Sequence, residues 1–359
     1  MKINFVRLQD FRNIEFAEVK FDSDSIWISG QNAQGKTNLL EALGMLAALR
    51  SFRTQTMKAL VREKRKQAEI LVDVSHEMFG NSQVHLKISD KRAVAVDGNE
   101  VKKFADFIGS FPALAMSCDD IKILRGAPEV RRKDIDMFIS SIDAPYFEAL
   151  KKFYATLAQR NALLKLENQD DSLYAPFEKQ MSEAAATVSS KRKYWFEKLG
   201  NLASSRYAIL AKANGEDAAI RMKTPFADFS TEDFLKLFES ERKSDLEWRL
   251  TRKGPHRDDF IFSVANRDAK LYASEGQQRS AVLALKLAQF EILKDMRRIE
   301  PVVLCDNVLG ELDSVRRGAF WECLSPTAQV IATSTTPAPS DGVRGNWQTI
   351  NVKSGKFEI

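Results

Sequence analysis

Residues 30–37 read GQNAQGKT, and this short stretch decides how the rest of the chain is interpreted. It fits the P-loop pattern G-x-x-x-x-G-K-[ST]. The residues before it, IWIS (26–29), have the pattern of a short apolar strand. The residues that follow, TNLLEALGMLAALRSF (37–52), carry apolar side chains at helical spacing. The order strand, loop, helix predicts an α/β fold in which a buried strand runs through the loop into a helix.

The residue types in this loop suit the binding of a phosphate chain. Glycines at positions 30 and 35 permit a tight turn in which backbone N–H groups converge on phosphate oxygens. The start of the following helix adds its positive end. Lys36 would reach the β- and γ-phosphates, and the Thr37 hydroxyl would ligate Mg²⁺. A chance match to the pattern is the alternative, but the strand before and the helix after the loop favour nucleotide binding.

Two segments near the other end of the chain are candidates for a second part of the site. Residues 302–306, VVLCD, have the pattern of an apolar strand that ends in Asp306, where P-loop enzymes place a carboxylate that holds Mg²⁺. Residues 274–279, SEGQQR, precede an apolar helix, and a hydroxyl residue with a glycine there can form a second anion cradle. Because one P-loop already covers the phosphates on its own side, we expect this cradle to serve a nucleotide bound to another subunit. The alternative is an N-cap on a buried helix.

Composition and charge indicate a soluble globular chain. Its 359 residues are 44% hydrophobic and 29% charged, enough to bury one large core or two smaller ones. No run approaches the roughly 18 apolar residues that span a bilayer, and the first residues lack the pattern of a secretory signal. The 3 cysteines are scattered, so neither a disulfide framework nor a zinc cluster is indicated. We expect a cytoplasmic, nucleoid-associated protein with no membrane partner, and a net charge of +5 only weakly favours a polyanion.

The pattern along the chain predicts three parts. Residues 1–116 contain the P-loop and several segments with strand-like alternation. Residues 117–225 are mostly helical, and residues 226–359 contain SEGQQR and the strand that ends at Asp306. Helical material between two α/β ends implies that the two ends fold together around one sheet.

The order of these motifs resembles the series found in ABC-type ATPases, in which a P-loop is followed by a signature, an apolar strand that ends in Asp, and the D-loop ELD. More narrowly, the chain resembles the RecF family, the SMC-like DNA repair ATPases of bacteria. The fold class that this implies is α/β, an ABC/SMC-like P-loop ATPase head with an inserted helical lobe. The stretches that carry the resemblance are LQDFRNI (8–14), GQNAQGKTNLLEA (30–42), SFR (51–53), LRGAPEVRRKDIDMFIS (124–140), KGPHRDDFIF (253–262), SEGQQRSAVLALKLAQ (274–289) and ELDSVRR (311–317).

The resemblance implies an ATP-dependent homodimer, in which each ATP lies between the P-loop of one subunit and the signature of the other. Thr37 and Asp306 would be the metal ligands. Family members bind gapped DNA and single-strand/double-strand junctions in the ATP state, and they act with RecR and RecO to direct RecA loading. ATP and Mg²⁺ are therefore the expected cofactors, with DNA and RecR- and RecO-type mediators as partners. Matched by position, the residues expected at the nucleotide or the dimer face are Gly30, Asn32, Gly35, Lys36, Thr37, Asn38, Ser274, Gly276, Gln277, Asp306 and Asp313.

Position 307 departs from the family pattern. In ABC-type sites the residue after the metal-binding Asp is an acid that orients and deprotonates the attacking water, and in the RecF family it is usually a second Asp. Here the pair of catalytic candidates is Asp306 and Asn307. An amide oxygen accepts a hydrogen bond from water but cannot take its proton. Loss of a positioned base costs about 10²–10⁴-fold in rate, so we predict slow hydrolysis.

Three basic clusters are candidate contacts to DNA phosphates, which would make binding sensitive to salt. For each cluster the alternative is a solvated surface. No basic stretch interleaved with aromatic residues suggests base stacking, so we expect recognition of the DNA backbone with little sequence preference. The first cluster comprises Arg62, Lys64, Arg65 and Lys66, the second lies at residues 131–133, and the third comprises Lys191, Arg192 and Lys193.

Three other functions stay open at this stage. The first is a nucleotide-gated DNA-binding module without appreciable ATP turnover, which Asn307 favours. The second is an SMC-like ATPase of another DNA-maintenance pathway. The third is a P-loop phosphotransferase for a small substrate, which would carry a lid with several arginines close after the P-loop and would have no use for SEGQQ.

Overall fold

The structure is a computed structural model that describes residues 1–54, 56–77, 80–166, 170–211, 215–339 and 344–358. Contacts between residues divide the chain into two compact units. Unit 1 comprises Met1–Asp120, Ile209–Asn214 and Lys286–Ile359, and unit 2 comprises Ile121–Ala208 and Gly215–Leu285.

The regular elements are numbered in chain order. The strands are β1 (Lys2–Phe11), β2 (Ile14–Lys20), β3 (Ser25–Ser29), β4 (Ala68–His76), β5 (Gly80–Ile88), β6 (Arg92–Val96), β7 (Asn99–Glu100), β8 (Ala113–Ser117), β9 (Ala218–Lys223), β10 (Asp259–Val264), β11 (Arg267–Asp268), β12 (Val302–Asp306), β13 (Val330–Ser334), β14 (Gln348–Lys353) and β15 (Lys356–Glu358). The helices are α1 (Lys36–Ala48), α2 (Phe104–Phe107), α3 (Ile121–Arg125), α4 (Pro128–Ile142), α5 (Ala144–Leu163), α6 (Ala175–Leu210), α7 (Thr231–Trp248), α8 (Ala269–Tyr272), α9 (Glu275–Arg297) and α10 (Ser314–Glu322).

Unit 1 contains an antiparallel sheet with the strand order β2-β1-β4-β5-β6-β7. Along β4 every second residue is buried, so one face of the sheet packs on the core. In β1 the alternation is interrupted, because the pairing with β4 shifts between Ile3 and Phe5 and the buried side chains then continue at Val6. Asp97 and Gly98 both have positive φ, as the two central residues of the tight hairpin turn between β6 and β7 require.

The second sheet of unit 1 has the order β15-β14-β3-β13-β12-β8. Neighbouring strands are parallel except for β14 and β15. The central strands β3, β13 and β12 are buried on both faces, which explains why they are continuous apolar runs in the sequence. Helix α1 packs on this sheet, and a Cβ atom at Gly44 would lie 3.7 Å from a Cδ atom of Leu304. The strand, loop and helix predicted around residues 30–37 are therefore confirmed.

Unit 2 contains α3 to α5, most of α6, α7, α8, the start of α9 and a three-stranded sheet with the order β11-β10-β9. Its interior is unusually polar, because two arginines are fully buried in it. Arg160 pairs with Glu178 and Asp245 at 3.0 and 2.6 Å. No helix in the described ranges combines the length and the apolar character that crossing a bilayer requires.

The division into units differs from the predicted parts at the second boundary. The first boundary falls after Asp120, close to the predicted position 116, but unit 2 extends to Leu285 instead of 225. The reason is that β9 pairs with β10, and that the carboxylate of Asp245 on α7 binds Arg160 on α5. Residues 226–285, including the SEGQQR segment, therefore pack with the helical part of the chain.

Candidate nucleotide-binding site

The glycine-rich loop follows β3 and leads directly into α1. Gly30 has a φ of 155°, and a Cβ atom there would lie 2.5 Å from the carbonyl oxygen of Val352 on β14, so only glycine fits. The turn between β14 and β15 braces the loop further, because Gly355 N–H donates to the carbonyl oxygen of Gln34 at 2.9 Å. Gly35, with a φ of 115°, immediately precedes α1. The first N–H groups of α1 have no acceptor within the helix and can bind an anion.

Lys36 is the cation of this loop, and it is buried. Its Nζ donates to the carbonyl oxygen of Gly30 and, at 2.8 Å, to that of Gln31. Burial lowers the pKa of Lys36, and the carboxylate of Asp306 raises it. An ammonium group held against loop carbonyls is positioned to move onto phosphate oxygens when a nucleotide enters.

Asp306 lies at the carboxyl end of β12 and directly beside the P-loop helix. Its Oδ1 accepts hydrogen bonds from Thr37 Oγ1 and Thr333 Oγ1, both at 2.8 Å. Thr37 Oγ1 also lies 3.0 Å from Oδ2 of the same carboxylate. These residues meet because β3, β13 and β12 are neighbours in a parallel sheet and their carboxyl ends share one edge.

The oxygen atoms of Thr37 and Asp306 are ligands that Mg²⁺ prefers. In the described part of the chain, no group of three or more His, Cys, Asp or Glu residues could hold a metal ion by itself. Mg²⁺ is usually bound through one or two carboxylates together with water and substrate phosphates. The two side chains therefore fit a magnesium ion that is shared with a bound nucleotide.

Asn307 follows Asp306 in a left-handed backbone conformation, with a φ of 60°. Its N–H donates to the carbonyl oxygen and the Oγ1 of Thr333, both at 3.1 Å, and its carbonyl oxygen accepts from the thiol of Cys118 at 3.3 Å. Within the described residues the side-chain amide has no hydrogen-bond partner. The backbone at position 307 is thus fixed while the side chain is available to solvent or to a substrate.

Glu41, a buried carboxylate that the sequence analysis did not assign to the site, joins both flanks of the P-loop helix. Arg12 Nε and Nη2 donate to it at 2.9 and 2.7 Å, and the hydroxyl of Ser51 donates as well. Arg53 Nη1 lies 3.3 Å from its Oε2. The sequence feature that could have pointed to this residue is a single acidic side chain in the apolar run of α1. The residues that bind Glu41 lie in the LQDFRNI (8–14) and SFR (51–53) stretches.

A chain of hydrogen bonds connects this carboxylate to the loop. Arg53 Nη1 donates to Asn38 Oδ1 at 2.8 Å, and Asn38 Nδ2 donates to Asn13 Oδ1 at 2.7 Å. Asn13 Nδ2 in turn donates to the carbonyl oxygen of Ala33 at 3.3 Å. Asn38, a predicted site residue, therefore links Arg53 to Asn13, and Asn13 contacts the loop. Neither Arg53 nor Asn13 was assigned to the site from the sequence.

The predicted signature residues belong to unit 2, and they begin α9 with a capping box. Gln277 N–H donates to Ser274 Oγ at 3.3 Å, and Ser274 N–H donates to Gln277 Oε1 at 2.6 Å. Gln277 Nε2 also donates to Glu216 Oε2 at 2.6 Å. Ser274 is exposed and Gly276 is partly exposed. Ser274 is therefore the N-cap of α9, as the alternative interpretation of SEGQQR predicted. Its hydroxyl is nevertheless exposed on the surface.

Two further predicted residues lie on the surface of unit 1. Asp313 caps α10, since its carboxylate accepts from Arg316 N–H at 2.8 Å and pairs with Arg316 Nη1 at 3.0 Å. Asn32 is exposed in the P-loop, where its carbonyl oxygen accepts from Gln34 Nε2 at 3.5 Å.

The first basic cluster lies in unit 1 after α1 and is largely exposed. Arg62 pairs with Glu15 at 2.9 Å, and Arg65 lies 3.3 Å from Asp10. Lys64 and Lys66 are exposed, and neither has a carboxylate partner within the described residues. Part of the cluster is therefore available to an anionic ligand.

The third basic cluster does not form a continuous surface. Arg192 is fully buried, with Nη1 and Nη2 bound to Asp258 and Asp136 at 2.7 and 2.9 Å, so the prediction that it contacts DNA is wrong. Lys191 pairs with Asp143 and Lys193 with Asp228, at 2.8 and 2.6 Å. Successive residues of α6 point in different directions, and the run KRK in the sequence hides this.

Comparison with known proteins gives one consistent family. The RecF/RecN/SMC N terminal domain family matches residues 2–355. The protein described as DNA replication and repair protein RecF is 33% identical in Lachnospira eligens, over 93% of both chains, and 32% identical in Streptococcus suis, over 99% of both.

Solved structures agree with this result. A structure of the recombination mediator protein RecF-ATP in the RecFOR pathway has a TM-score of 0.89 and 30% identity, covering 99% of this chain and 96% of that chain. A second RecF structure, with ATPrS, has a TM-score of 0.88 and 28% identity over 99% and 97%. An Smc head bound to the C-winged helix domain of ScpA has a TM-score of 0.55 at 14% identity, covering 100% of this chain and 96% of that chain, and shows the fold alone.

The P-loop, the acid at the end of β12 and the inserted unit define the class of protein as an SMC-like ATPase head. Within that class the match extends over the whole chain. The chain belongs to the RecF family of DNA replication and repair proteins.

Proposed function

We propose that this chain is an ATP- and Mg²⁺-dependent DNA-binding protein of recombinational repair and replication-fork recovery. The observation that carries the proposal is the convergence of Lys36, Thr37 and Asp306 at one edge of the parallel sheet. This arrangement offers a cation for the phosphates and two oxygen ligands for Mg²⁺. A RecF chain with 30% identity is described with ATP, which supports the same ligand here.

The signature segment supports a composite site in a homodimer. Ser274 is exposed at the N-terminus of α9, where the positive end of the helix and a hydroxyl can receive phosphate oxygens of a nucleotide held by a second copy. Asn32, Asn38 and Asp313 are the remaining residues that we assign to the nucleotide and the dimer face. ATP would then act as the element that joins two copies, because each nucleotide is shared between them.

The biological role follows from the family. We assign gapped DNA and single-strand/double-strand junctions as the DNA partners, with Lys64 and Lys66 as the exposed cations best able to meet phosphates. RecR- and RecO-type mediators would act with the ATP-bound dimer to promote RecA loading. This role is that of a cytoplasmic, nucleoid-associated protein.

Asn307 supports a second candidate, in which nucleotide binding is retained and turnover is very slow. The amide cannot serve as the base that takes a proton from water. In this case the protein holds DNA while nucleotide is bound, and the release of DNA does not depend on ATP hydrolysis in this site.

Light scattering with and without ATP and Mg²⁺ tests the proposal. The wild-type chain is expected to double in mass with ATP, whereas Lys36→Ala and Ser274→Arg are each expected to stay monomeric. A mixture of the two variants can form a dimer with one intact site, so partial recovery of dimer in the mixture is expected. Binding of gapped DNA over a salt series, with and without ATP, completes the test. A chain that stays monomeric at saturating ATP and Mg²⁺ would contradict the proposal.

A further inference from the structure

The end of α7 carries an exposed aromatic ring among cations. Trp248 is 65% exposed, and it is the most exposed of the 5 tryptophans of the chain. The guanidinium group of Arg252 lies over its ring, 4.9 Å from the ring centroid. We call Trp248, Arg249, Arg252 and Lys253 the α7-end surface. It shares no residue with the basic clusters or the nucleotide site.

Buried contacts hold this surface in place. Arg249 has a φ of 52° and ends α7, so the chain turns there and returns Arg252 to the tryptophan ring. Arg252 N–H donates to Asp245 Oδ1 at 2.9 Å, and Asp245 is itself buried against Arg160 at 2.6 Å. Thr251, also buried, donates to Asn161 Oδ1 from its N–H and its hydroxyl, both at 2.8 Å. The exposed ring therefore stands on a fixed backbone, so little conformational entropy remains to be lost on binding.

The charge around the ring is positive. Between residues 243 and 253 the exposed carboxylate is Glu247, because Asp245 is buried. Arg249 has no ion-pair partner among the described residues, and Lys253 pairs with Glu241 at 2.6 Å. Arg252 Nη1 donates to Ser244 Oγ at 3.0 Å, which keeps the guanidinium over the ring. An aromatic face among cations suits an anionic ligand that also offers flat apolar surfaces.

Single-stranded DNA has these properties. Its bases are free to stack on an aromatic ring, and its phosphates can pair with nearby lysine and arginine side chains. Duplex DNA offers the phosphates but keeps its bases in the helix, so it can use the cations and not the ring. We propose that the α7-end surface binds single-stranded DNA, with one base stacked on Trp248 and the adjoining phosphates at Arg249 and Arg252.

This surface lies outside the basic runs in which sequence reasoning looked for DNA contacts. Trp248 and Arg252 are brought together by the turn at Arg249, so the pair is formed by the structure and not by adjacency in the sequence. The inference rests on the proposed function only in taking DNA as the partner, and it requires neither ATP nor a dimer. The α7-end surface would add a contact that only single-stranded DNA can make to the phosphate contacts proposed for the basic clusters.

The test is a binding titration of the full-length chain without nucleotide, using oligothymidylate of 15 nucleotides and a duplex of the same length. Trp248→Ala is expected to weaken binding of the single strand by roughly 5- to 100-fold, the range seen when one base–aromatic stack is removed. Binding of the duplex should change by less than about 2-fold, because no base is exposed to stack on the ring. Arg249→Gln should weaken both ligands, since it removes a phosphate contact.

Tryptophan emission gives a second readout. Saturating oligothymidylate should quench the emission of the wild-type chain, and Trp248→Phe should abolish most of that quenching. Phe16→Ala is the matched control, because Phe16 is 54% exposed on β2 but its neighbours Glu15 and Glu18 are acidic. This variant should bind both ligands as the wild type does, and unchanged thermal unfolding of Trp248→Ala would confirm that its fold is intact.

Three results would overturn the inference. One is unchanged single-strand affinity in Trp248→Ala, with emission that does not respond to oligothymidylate. Another is an equal loss for single strand and duplex, which would show that the ring does not stack on a base. The third is normal DNA binding with lost binding of a mediator protein, which would assign the surface to a protein partner. Since these measurements use no ATP, they are independent of the light-scattering test of the proposed function.

Discussion

At the scale of single residues, the site combines side chains that a motif identifies with others that it does not. Gly30, Lys36 and Thr37 were predicted because each residue type has a fixed task in a phosphate-binding loop. Glu41 and Arg53 were not assigned, because their roles depend on contacts between residues that a pattern does not connect. The prediction that Arg192 contacts DNA was wrong, because a basic run in a sequence does not show which of its members is buried.

Position 307 offers a direct test of the missing base. Asn307→Asp is expected to raise the rate of ATP hydrolysis by about 10²–10⁴-fold, because a carboxylate can take the proton that an amide cannot. The exchange should not disturb the fold, since Asp tolerates the left-handed backbone conformation found there nearly as well as Asn does. Steady-state turnover with ATP and Mg²⁺ measures the effect, and Asp306→Asn should remain inactive. Equal turnover in the wild-type chain and the Asn307→Asp variant would contradict the assignment.

Glu41→Gln tests the hydrogen-bond network behind the loop. Loss of the buried carboxylate leaves Arg12 without its partner, and we expect a loss of about 3 kcal/mol in the free energy of unfolding. ATP affinity should also fall, because Arg53 loses its ion pair with Glu41 and Arg53 in turn holds Asn38 by a hydrogen bond. Urea unfolding and an ATP titration measure the two effects. The control is Glu18→Gln, which removes an exposed ion pair with Arg7 and should change the free energy of unfolding by less than about 1 kcal/mol.

At the scale of elements, the sequence predicted strands and helices where the local pattern is decisive. The buried parallel strands β3, β12 and β13 are continuous apolar runs, and α9 has an apolar pattern over many turns. The bulge in β1 could not be predicted, because it depends on how that strand pairs with β4. Residues 83–97 alternate between apolar and polar side chains except at the polar run SDKR (89–92), and the structure has the turn between β5 and β6 there.

The start of α9 allows capping and ligand binding to be separated. Ser274→Ala removes a capping hydroxyl and should cost about 1 kcal/mol of stability. Ser230→Ala removes a similar capping box at the start of α7, where Asp233 N–H donates to Ser230 Oγ at 3.1 Å. Both variants should therefore unfold at slightly lower temperatures, but only Ser274→Ala should weaken dimer formation with ATP. Calorimetry measures the unfolding temperature and light scattering measures dimer formation. Equal dimer formation in both variants would show that Ser274 serves only as a helix cap.

At the scale of the whole molecule, the sequence predicted a head with an inserted helical part. The first predicted boundary, at 116, lies where the composition changes from strand patterns to helix patterns. The second predicted boundary is at 225, whereas the second compact unit of the structure continues to Leu285. The polar core of unit 2 explains this, since Asp245 and Asp258 act as partners of buried arginines far away in the sequence. Such pairs leave no local pattern.

That polar core also predicts how stability depends on pH. The pKa of His256 is lowered to about 4, chiefly by burial and also by the nearby charges of Arg257, Arg132 and Arg192, although the hydrogen bond to the Thr251 carbonyl acts in the opposite direction. An unfolded histidine has a pKa of about 6.5, so as the pH falls the unfolded chain takes up a proton first. The stabilising contribution is therefore complete above about pH 6.5 and is lost progressively as the pH falls toward 4.

His256→Gln isolates this contribution, because a glutamine amide can donate to the Thr251 carbonyl oxygen but does not titrate. Between pH 7.5 and pH 5 the wild-type chain should lose about 2 kcal/mol more of its free energy of unfolding than the variant does. Urea unfolding at the two pH values measures the difference. The same loss in both proteins would show that His256 is not the group responsible.

The brace that β14 and β15 provide for the P-loop has a consequence for synthesis of the chain. The loop motif is translated before Val352 and Gly355, which line and hold the loop. A nascent chain that contains the motif but not yet these two residues therefore lacks the wall that shapes the loop. We expect nucleotide binding to begin only once residues 352–355 have folded against the loop, so that shorter nascent chains do not compete for ATP.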